Sequence, residues 1–506
     1  MRLINFLLFL FFSWSASAQV YDIVVAKDGS GNYQTINEAI SAAPTSSART
    51  IIFIKKGIYN EKVYLGSHSV TLNKVISLIG ENRDSVIISW DDYSGKLIYY
   101  YGSTSQSPSG TPQSATLTIN AADFYMENIT VQNNYTTKQA VAVYNVSDRQ
   151  TFKNCRFIGF QDTHYLKKGR RSFFYKTIIE GGTDFICAGG TSFFYQCRIK
   201  SLKGGQYITA PEDISYSTTI STGKTLYYGF IFRDCDIIND GQLNAGSVYL
   251  GRPWQGTSGS IFMNCRLGNH IRPTGWSTWS ENNHLTSFFG EYKSMIADGS
   301  ALADVSQRVS WSYQLSDADV NNYLLLNIIY SSVSSTPYDP VSLVVPPASV
   351  ASVSKSGQTL TWDVKGGAKG YVVYADGSVI GFSKTNSFTV ETNIGASAVF
   401  SVRTVGAHGN LSQPGDNVSI SDINNAINTV PTPIIPVVNK DYPFYINSNI
   451  LFFSEITNFK IYNLAGQEIL SEKNKLFISL EGLNGGVYII KAFDNLKGNY
   501  QAKISL

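Results

Sequence analysis

Apolar and polar positions alternate in a pattern that changes three times along the chain. Asp28-Gly29-Ser30-Gly31-Asn32-Tyr33 reads as a turn. Thr35-Ile36-Asn37-Glu38 matches a capping box, and Ile36, Ala39 and Ile40 fall at helical spacing, which predicts a short helix over 35–43 ended by Pro44. Arg49 to Lys55 is an apolar strand, followed by Gly57-Ile58-Tyr59-Asn60-Glu61. From there to about Gly268, short apolar strands recur, each closed by a polar turn. Four carry one signature: Phe152-Lys-Asn-Cys155, Phe194-Tyr-Gln-Cys197, Phe232-Arg-Asp-Cys235 and Phe262-Met-Asn-Cys265. Phe174-Tyr-Lys-Thr177 is a version without cysteine.

The steps between these phenylalanines are 22, 20, 38 and 30 residues. A period near 20–22 residues with no helix-length segment inside it predicts a solenoid of strands, the longer steps being inserted loops or a skipped coil. The dense Leu/Asn consensus of leucine-rich repeats is absent. The repeated cysteine then reads as a small apolar residue stacked in an internal row, and the helix at 35–43 as an end cap on the first coil.

Past Tyr330 the pattern shifts again. Residues 331–347 are Ser/Pro-rich and read as a linker. Residues 346–420 alternate like the strands of a small β-sandwich, resembling a fibronectin type III module. Residues 421–438 hold a second, Pro-rich linker. Residues 439–506, with Phe459-Lys-Ile-Tyr-Asn-Leu-Ala-Gly466 and Leu480-Glu-Gly-Leu-Asn-Gly-Gly-Val487, are similar to the C-terminal sorting domains of the bacterial type IX secretion route. The expected fold is all-β: a right-handed parallel β-helix over residues 19–338, then small β-sandwich domains.

Composition narrows the setting. In 506 residues, charged side chains make up 15% and aromatics 13%, with a formal charge of +3, and no Lys/Arg run points to nucleic acid. Met1-Arg2, an apolar run from Leu3 to Trp14 and Ala16-Ser17-Ala18 form a signal peptide over residues 1–18. The mature chain is expected to lack a membrane span and to be secreted or attached to the cell surface. Five Cys without a C-x-x-C and five His argue against a zinc site.

The period also serves as a ruler. Gln139 to Gln161 is 22 residues, and so is Asp162 to Asp184. Residues one coil apart stack about 4.8 Å from each other. Two amides and two carboxylates would then share one patch, with one carboxyl protonated and the other ionised. Neighbouring amides can stabilise an oxyanion, a combination that suits attack on an ester. The same residue types also cap turns in solenoids, and spacing alone leaves both readings open.

Five stretches, in order, resemble those of pectin methylesterases of the pectinesterase family: Gly57-Ile-Tyr-Asn-Glu61, Gln139-Ala-Val-Ala-Val143, Gly159-Phe-Gln-Asp-Thr163 with Tyr165, Gly181-Gly-Thr-Asp184-Phe-Ile186, and Leu250-Gly-Arg-Pro-Trp254. Gly275-Trp276-Ser-Thr-Trp279 and Phe289-Gly-Glu-Tyr292 match as well. The resemblance implies Asp184 as nucleophile on the C6 methyl ester of homogalacturonan and Asp162 as general acid, then base. It implies Gln139 and Gln161 as the oxyanion site and Arg252 as the partner of Asp184. Trp254, Tyr165, Phe160 and Thr163 are implied to contact substrate. No cofactor or metal is implied; the partner is methyl-esterified pectin, with the secretion machinery engaged by the C-terminal region. A monomer is expected. Two residues depart from the family pattern: Cys187, where Phe is usual, and His164, where Leu is common. Both are expected to alter subsite shape or pH response, with His164 alternatively a bystander on the cleft rim. A pectate lyase would need calcium, and a polygalacturonase would use carboxylates spaced for glycoside hydrolysis. A sugar-binding protein would have no need of the complete set of reacting residues.

Overall fold

The computed structural model describes residues 20–324, 336–412, 427–428, 444–447, 450–463, 466–479, 487–494 and 498–505, apart from 220–222, 224, 280–281, 392–393 and 396. The expected signal segment 1–18 and, within the expected linker 421–438, residues 421–426 and 429–438 lie outside the described residues.

Residues 23–314 wind as a right-handed parallel β-helix of three sheets. The first sheet has eleven strands, from Ile23–Val25 to Tyr313–Gln314. The second has nine, from Gly57–Tyr59 to Met295–Ile296, and the third seven, from Val63–Leu65 to Tyr249–Gly251. Every pairing within these sheets is parallel, each strand lying on its counterpart one coil away.

The repeated phenylalanines set this register. Phe152, Phe174, Phe194, Phe232 and Phe262 are consecutive partners along the first sheet. Their rings stack face to face inside the solenoid at centroid separations of 4.8, 4.6, 4.5 and 4.4 Å. The steps of 38 and 30 residues are therefore loop insertions within single coils. The longer one includes the hairpin of Ser217–Thr219 with Thr225–Tyr227. Cys155, Cys197, Cys235 and Cys265 are free, buried and in line, each thiol against a backbone carbonyl of the preceding coil at 3.3–3.6 Å. The residue before each row position is left-handed: Asn154, Lys176, Gln196, Asp234 and Asn264 have φ between 49° and 54°. One such residue per coil turns the chain from the first sheet into the second.

The helix Ile36–Ala42 closes the first coil, with Ile36, Ala39 and Ile40 buried and Thr35 and Glu38 forming the capping box. Glu61, the last residue of the Gly57–Glu61 stretch, accepts from the N–H groups of Ile36 and Asn37 at 2.8 and 3.1 Å, which fastens that cap by its positive end. At the other end, buried Glu291 holds Arg308 at 2.6 Å.

After the solenoid come two three-stranded antiparallel sheets. Val353–Ser356, Thr359–Trp362 and Ser387–Thr389 form one; Gly370–Ala375, Ser378–Ser383 and Phe400–Val405 form the other. They share a core of Leu360, Trp362, Tyr371, Val373, Val390 and Val402. Val372, Tyr374 and Val405 belong instead to a second cluster that covers the outer surface of the first solenoid sheet. Phe382 packs on Tyr21 and Phe53 at 5.5 and 5.2 Å, and Glu81 accepts from the Val379 N–H at 2.8 Å.

Within the stretch 331–347, residues 336–347 are not the spacer that the Ser/Pro composition suggests. Tyr338, Val341 and Val344 are buried against the first sheet. The Tyr338 hydroxyl donates to the Gln150 carbonyl at 2.8 Å, and Arg171 donates to the Thr336 carbonyl at 2.8 Å. Three apolar side chains set among the serines outweigh the composition. Inside the expected linker 421–438, Ile427 is likewise buried, and its carbonyl accepts from Arg233 at 2.8 Å. From 444 onward, Phe444–Asn447, Ile450–Asn463, Glu468–Ser479, Val487–Asp494 and Gly498–Ser505 form one antiparallel sheet.

Candidate active site

The candidate residues gather where the chain enters the third sheet. Gln139, Gln161 and Thr183 bridge in parallel on three successive coils, so Asp162 and Asp184, each one residue further on, are neighbours along the solenoid axis. Both aspartates are left-handed, at φ 62° and 51°. Aspartate tolerates that region better than most residues. Both carboxyl groups are buried.

Arg252, just past the strand Tyr249–Gly251, grips Asp184 with a two-pronged ion pair, Nε to Oδ1 at 2.9 Å and Nη2 to Oδ2 at 2.6 Å. Its guanidinium lies between the rings of Tyr207 and Trp279, 3.9 Å from each centroid. Cation–π contact on both faces fixes the fork in the plane that the carboxylate needs. On the other aspartate, the Gln139 side chain lies close enough to Asp162 to favour its charged form. The Gln139 Oε1 accepts from Thr111 Oγ1 at 2.8 Å, which turns its NH2 group toward the carboxyl.

This asymmetry separates the two acids. Burial, and next the Asp184 charge, push Asp162 up to about 8, against the opposing pull of Gln139 and Arg252. Burial also raises Asp184, but Arg252 opposes it through hydrogen bonds and charge. At neutral pH the pair therefore carries a proton on Asp162 and a negative charge on Asp184. An anion and an acid one coil apart, with amides beside them, can perform acyl transfer.

Around this centre, Phe160 is half-buried and lies over Gly182, where a Cβ would come within 2.5 Å of its ring. Only glycine at that position leaves the ring its place. Tyr165 is half-buried on the outer face of the third sheet, edge-on to Tyr144 at 5.4 Å. Trp254 is half-buried 6.5 Å from Trp279. Gln161 is half-buried between Gln139 and Thr183.

Thr163 departs from expectation. Its hydroxyl is buried and donates to the Glu180 carbonyl at 3.1 Å, packed between Gly159 and Gly181, so it fixes the turn and does not contact substrate. His164 is also not on the rim. It points into the solenoid against Phe157 and Phe174, with Nε2 3.0 Å from Asn145 Oδ1. Burial lowers it to about 3, so it stays neutral and cannot supply a pH response in the working range. Cys187 pairs with Tyr165 on the outer face, and burial raises its thiol well above the ordinary range, with Asp162 and Asp184 adding to the effect. A neutral thiol is a poor nucleophile.

Three contributors had no role assigned from sequence: Tyr207, Trp279 and Thr111. Trp279 sits in a matched stretch; the other two carry no local signal. Among the described residues, no group of three His, Cys, Asp or Glu stands close enough to hold a metal ion.

A family model described as Pectinesterase matches residues 22–332. The chain belongs to the pectinesterase family. Pectinesterase 31 of Arabidopsis thaliana is 32% identical over 304 residues, covering 59% of this chain and 89% of that protein. The pectin methylesterase from carrot superposes with a TM-score of 0.53 at 30% identity, covering 61% of this chain and 93% of that structure. A pectin methylesterase solved in complex with a hexasaccharide superposes with a TM-score of 0.50 at 28% identity, covering 63% of this chain and all of that one. This pectinesterase is a carboxylic ester hydrolase. The family match stops at 332, ahead of the antiparallel modules.

Proposed function

We propose that the chain hydrolyses the C6 methyl esters of homogalacturonan to pectate and methanol, with Asp184 as nucleophile and Asp162 as acid and then base. The observation that carries this reading is the division of labour between two adjacent buried carboxyls, one clamped by Arg252 and the other held protonated. Ionised Asp184 attacks the ester carbonyl carbon. Charge that develops on the carbonyl oxygen is met by the amides of Gln139 and Gln161. Asp162 gives its proton to the departing methoxy oxygen, so methanol leaves rather than methoxide. The acyl group is now on Asp184, and Asp162 is a carboxylate. It takes a proton from water as that water attacks the same carbonyl carbon. Asp184 leaves as the anion, Asp162 is protonated again, and the uronic acid departs. Half-buried Phe160, Tyr165 and Trp254 offer the faces for sugar rings, and the hexasaccharide-bound relative supports an extended polymer site.

The leader-like residues 1–18 and the C-terminal region 439–506 support export to the cell exterior through a type IX route. No helix among the described residues is long and apolar enough to cross a membrane.

Product analysis tests the reaction. The full chain is expected to release methanol from highly esterified pectin without shortening it and without forming unsaturated ends. Chain scission with no methanol would overturn the assignment.

Three further outcomes are expected. The rate should fall as pH rises through about 8, because Asp162 must be protonated to release methanol. It should also fall in acid as Asp184 gains a proton. The folded pKa of Asp162 lies above its unfolded value, so its contribution to stability is full below the ordinary carboxylate range and is lost as pH climbs to about 8. Asp162→Asn should therefore unfold at a higher temperature than wild type at pH 9, read by a thermal melt. Thr111→Val should lower kcat about fivefold with little change in KM, the loss of roughly one hydrogen bond that orients Gln139. An unchanged kcat would remove Thr111 as a positioning residue.

A further inference from the structure

The machinery above leaves Glu212 unused, although it borders the same cleft. It follows the third-sheet strand Tyr207–Pro211. Its N–H donates to the Ala188 carbonyl at 3.1 Å, and the Trp254 N–H donates to the Pro211 carbonyl at 3.0 Å. In a parallel ladder, those two bonds set Gly189, Glu212 and Trp254 at one level on three successive coils. Glu212 is thus about 4.8 Å along the axis from the proposed sugar platform. Gly189 leaves space for its carboxyl; a Cβ there would come within 3.0 Å of Glu212 Oε1. Nearby on the outer face are Tyr165 and Cys187, whose hydroxyl and thiol, raised chiefly by burial, are pushed further up by the Glu212 charge.

The neighbouring charges do not cancel it. Asp213 is committed to Thr257, accepting from its N–H at 3.1 Å and its hydroxyl at 2.7 Å. Lys168, largely exposed, stands 3.8 Å from Asp213. One lysine thus faces two carboxylates at this lip, while Asp184 and Arg252 balance each other within the centre.

We propose that Glu212 determines which neighbour of the scissile unit is accepted: a methyl-esterified galacturonate fits beside Trp254, whereas an ionised one is repelled. This rests on the esterase reading above. An ester brings no charge to the lip, but the free carboxylate left by a previous turnover meets Glu212. The enzyme then works best within densely esterified stretches and does not advance readily into its own product in that direction, giving scattered rather than contiguous demethylation.

The test compares methanol release by the full chain from a densely and a sparsely esterified pectin, for wild type and Glu212→Gln. The variant is expected to raise kcat/KM on the sparse polymer relative to the dense one by about fivefold at low salt. The wild-type preference should shrink toward the variant's as salt is added. A ratio that Glu212→Gln leaves unchanged overturns the proposal. Should that variant not fold, a wild-type preference that is insensitive to salt overturns it equally. If wild type releases no methanol from either polymer, the esterase reading itself has failed, an outcome distinct from both.

Discussion

Asp184→Asn is expected to lower kcat for methanol release by at least about 10⁴-fold, because an amide oxygen cannot replace an ionised nucleophile. The substitution keeps the side chain's shape, so it isolates charge from packing. Asp162→Asn should also be severely impaired, by about 10²- to 10⁴-fold, but for a different reason: it removes the proton that methanol needs in order to leave. Leaving-group chemistry separates these two losses. An ester of an acidic phenol departs without protonation, so the first step of Asp162→Asn should recover on such a substrate. Pre-steady-state release of the phenol would show that recovery as a burst. Asp184→Asn should remain inactive on both substrates. Equal deficits of the two variants on both esters would mean that the roles are not divided as argued, even though both residues matter. Arg252 sits behind this difference, because its fork on Asp184, clamped by Tyr207 and Trp279, keeps the charge on one aspartate and the proton on the other.

The repeat made much of this legible in advance. Phe152, Phe174, Phe194, Phe232 and Phe262 announce the coil period, and the ring stack that they build fixes the register on which everything else depends. A ruler of 22 residues places Gln139 over Gln161 because the intervening coil has no insertion. What the ruler misses is direction. It cannot tell that Thr163 and His164 turn inward while Asp162 does not, since that depends on the left-handed backbone at Asp162, which disrupts strand alternation. Nor can a period find Tyr207, Trp279 or Thr111. They reach the site from other coils and loops, 45 residues before and 27 after Arg252 for the two aromatics. Composition was least reliable beyond the solenoid. A Ser/Pro-rich stretch looks like a tether, yet Tyr338, Val341 and Val344 anchor it to the first sheet.

That anchoring carries the other large effect. A chain ended at 335 would uncover the outer surface of the first sheet, where Tyr21, Phe53, Ile79, Tyr125, Phe173 and Phe193 are covered by later residues. Those covering residues include Tyr338, Val341, Val344, Val372, Tyr374, Val405 and Leu411. At roughly 1.5–3 kcal/mol for each large apolar side chain buried, the loss exceeds about 10 kcal/mol. That loss rivals the whole stability of an ordinary domain, about 5–15 kcal/mol. The expected result is that the chain cut at 335 aggregates or binds a hydrophobic dye, while one ended at 428 stays soluble and turns over as the full chain does. Phe382→Ala should weaken the same seam more gently, because its ring meets both Tyr21 and Phe53. A destabilisation of about 3 kcal/mol is expected, seen as a lower denaturant midpoint with kcat intact, since the seam lies on the first sheet and the carboxyl pair at the third. If the chain cut at 335 were monomeric and as stable as the longer one, the strap and sandwich would be passengers on the solenoid, and the covered face would need another explanation.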